Sequence, residues 1–575
     1  MLPENLSLVL SLISLYLGQT SHASTYDYSA TTECVVQPGR THYGGGIIVN
    51  PEFNHGIEGW TTFGQGVIKE GMSEEGNRFV VAHRRTRSLD GISQKVVLEE
   101  GMLYSFSAWI QLSDGSDTVA VVFRTSHGDL IHGGKAAAKQ GCWSLLKGGL
   151  VANFSGTVDI LIQSKNTTGD IWIDNVSLQP FTKQQWRSHQ AKSIDKVRRA
   201  KFRFKVTTNA NKTVVEGAVI SINHVESGFP FGCGMNYHIL QSTAYQDWFA
   251  LRFKFATFTN EMKWYTTEKV QGHENYTLAD AMLSFAKLNG ISVRGHNIFW
   301  DNPKQQPGWV KDLSPEELRI AAEKRILSVV KRYSGQLIAW DVMNENLHFH
   351  FFEDKLGENA SAFYYYTAHQ LDPNTTMFIN EYNTIEHSKD ETAHAVNYMN
   401  KLENILAFPG NKDLPIGIGL QGHFGAGEPN LAYMRSALDI LGSTGYPIWL
   451  TEVDIDKCPN QAKYLEDILW EGYTHPAVKG IIIFAGPEYA GFNVTTLADR
   501  DFKNTEAGDV VDKLIREWKT ENLQFKADNT GSSEISLFHG EYNVTAKHPV
   551  TDSSTSQKIK VTQNISGKTV HIHID

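Results

Sequence analysis

Two short segments carry the residue types needed for paired-carboxylate chemistry. WDVMNE ends on Glu345, and WLTEVDI contains Glu452, 107 positions later. Each glutamate closes or sits within an apolar, β-like run. Cleaving a glycosidic bond with retention of configuration needs two carboxyl groups roughly 5–5.5 Å apart, one as nucleophile and one as proton donor. A barrel presents such a pair at the ends of two of its strands. A lone glutamate at a strand end is an ordinary surface or ion-pair group, but these two have company. Asp341 and Asn344 precede Glu345, and Trp449 and Asp454 flank Glu452. Other candidate strand ends carry Asn260 and Lys263, His296 and Trp300, and Gln421 and His423. A dry core would not gather so many hydrogen-bonding groups without a ligand or a dense network to satisfy them.

The elements that must position these groups repeat as strand, loop and helix from Phe229 to about Trp518. The candidate strands are FPFGCGMN, FKFATFTNEM, ISVRGHNIFW, LIAWDVMNEN, TTMFINEYN, IGIGLQGHF, IWLTEVDI and GIIIFAGP. Periodic stretches such as LADAMLSFAKLNG and SPEELRIAAEKRILSVVKRY fall between them. In the second, Ser314 suits the N-cap and Pro315 the first helical position. Eight such units predict an α/β TIM (β/α)8 barrel. Upstream, Gly44–Phe181 reads as many short alternating strands with Gly, Asp and Asn turns, which predicts an all-β jelly-roll sandwich. The segment Gln184–Ala200 looks helical, and two strand-like runs follow it. A closing tail alternates in SEISLFHGEYNVTAKH and KTVHIHID, predicting a small sheet or hairpin against the barrel. The expected division is a signal peptide at 1–23, the sandwich at 44–181, a linker helix and lead-in strands at 182–228, the barrel at 229–522 and a β-rich extension at 523–575.

A chain of 575 residues is too long for one core. Its 41% hydrophobic and 11% aromatic content suits large globular domains, and its 13 Trp and 21 Tyr supply rings suited to stacking on sugars. A net charge of −10 and a pI near 6.1 offer no field for a polyanion. No nucleic-acid motif stands out, and the basic run Lys192–Lys205 reads as a solvated helix face. The apolar stretch Leu6–Leu17 fits a secretory h-region rather than a membrane span, although its n-region carries Glu4 and no Lys or Arg. Ten Asn-x-Ser/Thr triplets follow, at Asn153, Asn166, Asn175, Asn211, Asn275, Asn359, Asn374, Asn493, Asn543 and Asn564. The four cysteines match no zinc spacing, and no metal or cofactor motif is present; Cys34 with Cys142 could form a bridge. The expected setting is extracellular.

WDVMNE and TEVDI together resemble the motifs of retaining family 10 glycoside hydrolases, the endo-β-1,4-xylanases. GHNIFWDNPKQQPGW, FINEYNTIEH and DFKNTEAGDVVDKLIREW are similar to the plant type. The NPEF…GIEGW opening and WIDNVSLQPF ending resemble a family 22 carbohydrate-binding module. The resemblance covers roughly Gly228–Trp518 for the catalytic family. It implies xylan or a related cell-wall polysaccharide as the partner, with Glu345 as acid/base and Glu452 as nucleophile. Asn344 then matches the residue that binds the sugar 2-hydroxyl, and His423 the histidine held between the nucleophile and Asp454. Asn260, Lys263, His296, Trp300 and Gln421 match positions lining the non-reducing side, and Asp341 reads as structural. In the module, Arg85 and Trp109 resemble ligand-face positions. Some positions depart from the pattern: Thr259 stands where Glu is usual, Asp301 where many members have His, Phe484 where a Trp usually covers the sugar, and Leu89 where an aromatic is often seen. Thr259, Phe484 and Leu89 leave open a non-catalytic or weakly active xylan-binding wall protein, and a xylan endotransglycosylase using the same site stays open because one constellation serves both reactions. No protein partner is inferable.

Overall fold

In the computed structural model, which describes residues 25–575, the eight apolar runs of the central region become eight parallel strands. The expected signal peptide at 1–23 lies outside the described residues. The strands are β1 (Phe231–Met235), β2 (Phe255–Phe258), β3 (Ser292–Trp300), β4 (Ala339–Asn344), β5 (Thr376–Glu381), β6 (Ile416–Leu420), β7 (Ile448–Ile455) and β8 (Val478–Ile483). Each pairs with the next in parallel register, and β8 returns to β1 with Ile481 opposite Phe231. The sheet therefore closes and leaves no edge.

Burial on both faces explains the near-continuous apolar strands: Ile481, Ile482 and Ile483 are all fully buried. Between β3 and β4 the helix Pro315–Tyr333 starts where its caps require. Ser314 accepts from the Glu317 amide, and the Glu317 carboxylate accepts from the Ser314 amide at 2.9 Å. Gly295 leaves room for a ring on the helix side of the barrel, where Trp340 packs on Tyr333, and Gly480 leaves room for one inside it. A Cβ on Gly295 would lie 2.3 Å from Trp340, and one on Gly480 2.6 Å from Trp449. Arg294 lies over the Phe378 and Trp449 rings and pairs with Asp341 at 2.6 Å. This buried layer is the floor of the barrel mouth.

The sandwich consists of two five-stranded antiparallel sheets around an apolar core that includes Phe106, Ile110, Phe123 and Ile173. The polar stretch before it is tied down rather than loose. Cys34 is bridged to Cys142, Val35 and Trp143 exchange backbone hydrogen bonds, and Tyr26 is buried.

The lead-in strands and the tail were expected as separate pieces, and here the structure corrects the reading. Arg199–Thr208 lies between Ser532–Phe538 and Thr569–Ile574, and Val219–Ser227 lies between Leu523–Lys526 and Gly540–Lys547. The two sheets enclose one core with Phe204, Ile222, Leu537, Val544 and Ile572. One β-domain is thus assembled from chain on both sides of the barrel. The basic run Lys192–Lys205 is also neither one helix face nor wholly solvated, since the helix ends at Val197 and Arg199 begins the strand. The Arg198 guanidinium is buried and donates to the carbonyls of Tyr473, His475 and Val478, because the helix Lys183–Val197 docks on the barrel.

Candidate active site

Glu345 follows the last residue of β4 and turns the chain out of the sheet. Its φ is +58°, a left-handed conformation that costs a residue with a Cβ about 1–3 kcal/mol. Hydrogen bonds hold the turn: the Glu345 amide donates to the Asn380 carbonyl at 2.9 Å, and the Phe349 amide donates to the Glu345 carbonyl at 3.1 Å. The side chain is largely buried. The Trp300 indole donates to its Oε2 at 2.7 Å, and Gln421 Nε2 lies 3.4 Å from its Oε1. Burial pushes its carboxyl up, the charges of Glu381 and Glu452 add to that, and the two donors only partly oppose it; the result is about 7.

Glu452 has the opposite surroundings. Burial alone would raise its carboxyl, but His296, His423 and Lys263 outweigh that and hold it well below the usual carboxylate range. His296 Nε2 stands 3.8 Å and His423 Nε2 3.7 Å from its oxygens. Each histidine is oriented by an aspartate on its other nitrogen, Asp341 for His296 and Asp454 for His423, both at 2.8 Å. Residues 423 and 454 are direct cross-strand partners, which is why that contact forms. Burial disfavours the His423 cation, but hydrogen bonds to Asp454 and Glu452 dominate and raise it well above the ordinary imidazole value.

Asn380, at the end of β5, links the two sides and was not singled out from the sequence. Its Nδ2 donates to Glu452 Oε1 and to Asn344 Oδ1, each at 2.8 Å, and its Oδ1 accepts from Thr451. It lies within FINEYN, a segment used only for its general likeness. Asn344 thereby has its carbonyl oxygen fixed, while its amide nitrogen has no hydrogen-bond partner among the described residues. Lys263 is buried with Nζ 4.4 Å from the Trp300 ring centre, and Nζ and the Tyr265 hydroxyl both donate to Asn260 Oδ1. Phe484 is half-buried, edge-on to His296 at 6.2 Å and to His423 at 6.4 Å between ring centres. The barrel residues singled out for chemistry thus converge on one mouth. Asp301, the departure from His, is fully buried instead. It accepts from Asn346 Nδ2 at 2.8 Å and from the Phe352 amide at 3.0 Å, bracing the loop after β4.

The two sandwich residues expected on a ligand face are elsewhere. Arg85 is buried and donates to the carbonyls of Asp90, Asn166, Ser88 and Ser164. Trp109 is 7% exposed and packs with Phe79, Trp143 and Leu145 beneath Gly39, where an added Cβ would meet the indole at 2.5 Å. The disulfide-held N-terminal segment covers it, which no local pattern announces.

Among the described residues no cluster of three or more His, Cys, Asp or Glu side chains could hold a metal ion, and no helix is long and apolar enough to cross a membrane. Residues 222–485 match the model for glycosyl hydrolase family 10, and residues 45–169 match a carbohydrate binding domain. "Endo-1,4-beta-xylanase 5-like" of Arabidopsis thaliana is 50% identical, over 94% of this chain and 93% of that relative. "Endo-1,4-beta-xylanase 4" of the same plant is 46% identical over 97% and 96%. The crystal structure of xylanase 10B from Thermotoga petrophila RKU-1 in complex with xylobiose is 22% identical, with a TM-score of 0.45, covering 50% of this chain and 94% of that one.

Proposed function

The chain belongs to glycosyl hydrolase family 10, and from that membership we propose that it cleaves internal β-1,4-xylosidic bonds of xylan by retaining double displacement. The observation that carries the reading is a pair of glutamates, one after β4 and one on β7, with opposed surroundings, both bonded to Asn380 on the intervening strand β5. Glu345 holds a proton near neutral pH and Glu452 does not. In the first step Glu345 gives its proton to the leaving glycosidic oxygen while a Glu452 oxygen attacks the anomeric carbon, forming an ester. Esterification removes the Glu452 charge that raised Glu345, so Glu345 ionises more readily. It then takes a proton from water as that water attacks the anomeric carbon and frees Glu452.

The supporting groups fit these steps. The free amide of Asn344 suits the sugar 2-hydroxyl, a contact that strengthens as the ring flattens. His423, kept cationic by Asp454, favours the ionised nucleophile. Asn260, Lys263, His296, Trp300 and Gln421 line the glycone side, and Phe484 offers a π-face where an indole is usual. The sandwich is read as a carbohydrate-binding module of the same enzyme.

The setting we propose is outside the cell, in the wall. The apolar leader, the Cys34–Cys142 bridge and ten glycosylation triplets support it. Nine of the ten asparagines are exposed. Asn175 is half-buried, and its Nδ2 donates to the Gly39 carbonyl at 2.6 Å, so it is expected to remain unmodified.

The test is to incubate the purified protein with xylan beside a Glu345→Gln control, size the products and follow their anomeric configuration. Short oligosaccharides of β configuration from the wild type alone are expected. Longer labelled chains from a labelled acceptor would indicate transfer instead, and binding without turnover would overturn the hydrolytic reading.

A further inference from the structure

We propose that the N-terminal sandwich is a working part of the catalytic site: Lys135 fixes the corner after β5, and that corner fixes His348 and Glu381 behind the proton donor. The inference rests on Glu345 being that donor. Lys135 lies on the sandwich strand Leu130–Lys139 and is only 7% exposed. Its Nζ donates to the Asp390 carbonyl at 3.0 Å and pairs with Glu391 Oε1 at 3.0 Å, while Lys165 of the same domain pairs with Glu391 Oε2 at 3.1 Å. The corner Tyr382–His394 contains no helix or strand, so side-chain bonds must set its position.

Asp390 is the hub of that corner. Its carboxylate accepts from Asn383 Nδ2 at 2.7 Å and from the amides of Thr392 and Ala393 at 2.6 and 2.9 Å, and it faces His348 Nε2 at 3.0 Å. The other nitrogen of His348 lies 2.7 Å from Glu381 Oε1, and its ring stacks on Tyr382 at 3.9 Å. The second Glu381 oxygen accepts from the Leu347 amide at 2.7 Å. Leu347 is two residues beyond Glu345, inside the left-handed turn that aims the acid. The turn is thus tied to β5 at its first residue through Asn380 and at its third through Glu381.

Charge explains why His348 is needed. Glu381 is fully buried, and an uncompensated buried carboxylate is costly. Burial disfavours the His348 cation, but its bonds to Glu381 and Asp390 outweigh that and push it up to about 9. It therefore serves as the cation between two carboxylates, one behind the acid and one in the corner that the sandwich holds. His348, Asp390 and Lys135 are positioning residues, since none of them touches the reacting pair.

The test compares kcat/KM for two aryl β-xylobiosides, one releasing 2,4-dinitrophenol and one releasing a poor leaving phenol. The first departs without a proton, and the second needs the acid. In the full-length protein His348→Gln is expected to lower kcat/KM about 10–30-fold and Lys135→Met about 3–10-fold on the poor leaving group, with changes under about twofold on the good one. Lys135→Arg should restore most of the loss. Glu391→Gln, at a side chain 51% exposed, should fold normally and show the same split at about 2–3-fold, which keeps the test open if Lys135→Met does not fold. Equal losses on both substrates, or none on either, would overturn the proposal. If Glu345→Gln itself lacks the split, the assignment of Glu345 as donor fails, and this inference fails with it.

Discussion

The barrel mouth and the sandwich both collect aromatic and charged side chains, yet they dispose of them differently. At the mouth, the Asn344 amide nitrogen has no hydrogen-bond partner among the described residues, and the Phe484 ring is only half-buried. On the sandwich, Arg85 gives its donors to four backbone carbonyls, and Trp109 lies under Gly39 with no partner for its indole nitrogen. The residue types are alike; what differs is whether other chain covers them. A ligand site needs hydrogen-bonding capacity that is both left over after folding and open to a ligand; the mouth has it, whereas Arg85 has spent its donors and the unpaired Trp109 indole is covered.

The hardest way to break this contrast is at the carboxylates. Glu452→Ala and Glu345→Gln should each lower xylan turnover by about 10²–10⁴-fold or more while leaving the melting temperature near that of the wild type. Trp109→Ala should do the reverse, costing about 3–5 kcal/mol of stability with xylan affinity unchanged below the melt. Trp109→Phe, which forfeits no hydrogen bond, should be far milder; a variant that lost affinity without losing stability would return Trp109 to a ligand face. Asn380→Ala removes three hydrogen bonds, one of them to an ionised group and worth about 1.5–3 kcal/mol, so kcat/KM should drop about 10–100-fold.

A pH profile sharpens the electrostatic side. The reactive form has Glu345 protonated and Glu452 ionised, so kcat/KM should fall as pH rises through about 7. The Trp300 indole favours the ionised form of Glu345; Trp300→Phe removes it, which must raise the carboxyl and move the basic limb to higher pH. A limb that stayed in place or moved down would contradict the contact. The smallest effect is expected at Phe484→Trp, a change in kcat/KM within about 10-fold from added ring area and an indole donor over the sugar. Unchanged kinetics would mean that the ring is only wall.

Local pattern was enough for the barrel. Runs such as GIIIF are strands because both faces are buried, and the Ser314–Pro315–Glu317 start is a helix because it satisfies its own first amides. The catalytic pair was legible because two motifs carry it, each at an apolar run. Long-range pairing was not. Nothing in Arg199–Lys205 says that its neighbours are Ser532–Phe538 and Thr569–Ile574, more than 300 residues away, so one domain read as two. The strand Leu103–Leu112 is buried at every residue because remote chain covers its outer face, the segment held by Cys34–Cys142 over Trp109, and Trp186 with Ala432 over Leu103, and the alternation that would separate core from surface disappears. Asn380 and His348 escaped for a related reason: each matters through what it touches across strands, not through its own neighbours in sequence.

The most direct measurement is to trap the glycosyl ester. Incubation with 2,4-dinitrophenyl 2-deoxy-2-fluoro-β-xylobioside, followed by proteolysis and mass spectrometry, should place one fluorinated disaccharide on Glu452 within the peptide carrying TEVDI. A label on any other side chain, or full turnover with no trapped ester while the dinitrophenol is released, would contradict the assignment of Glu452 and with it the double displacement.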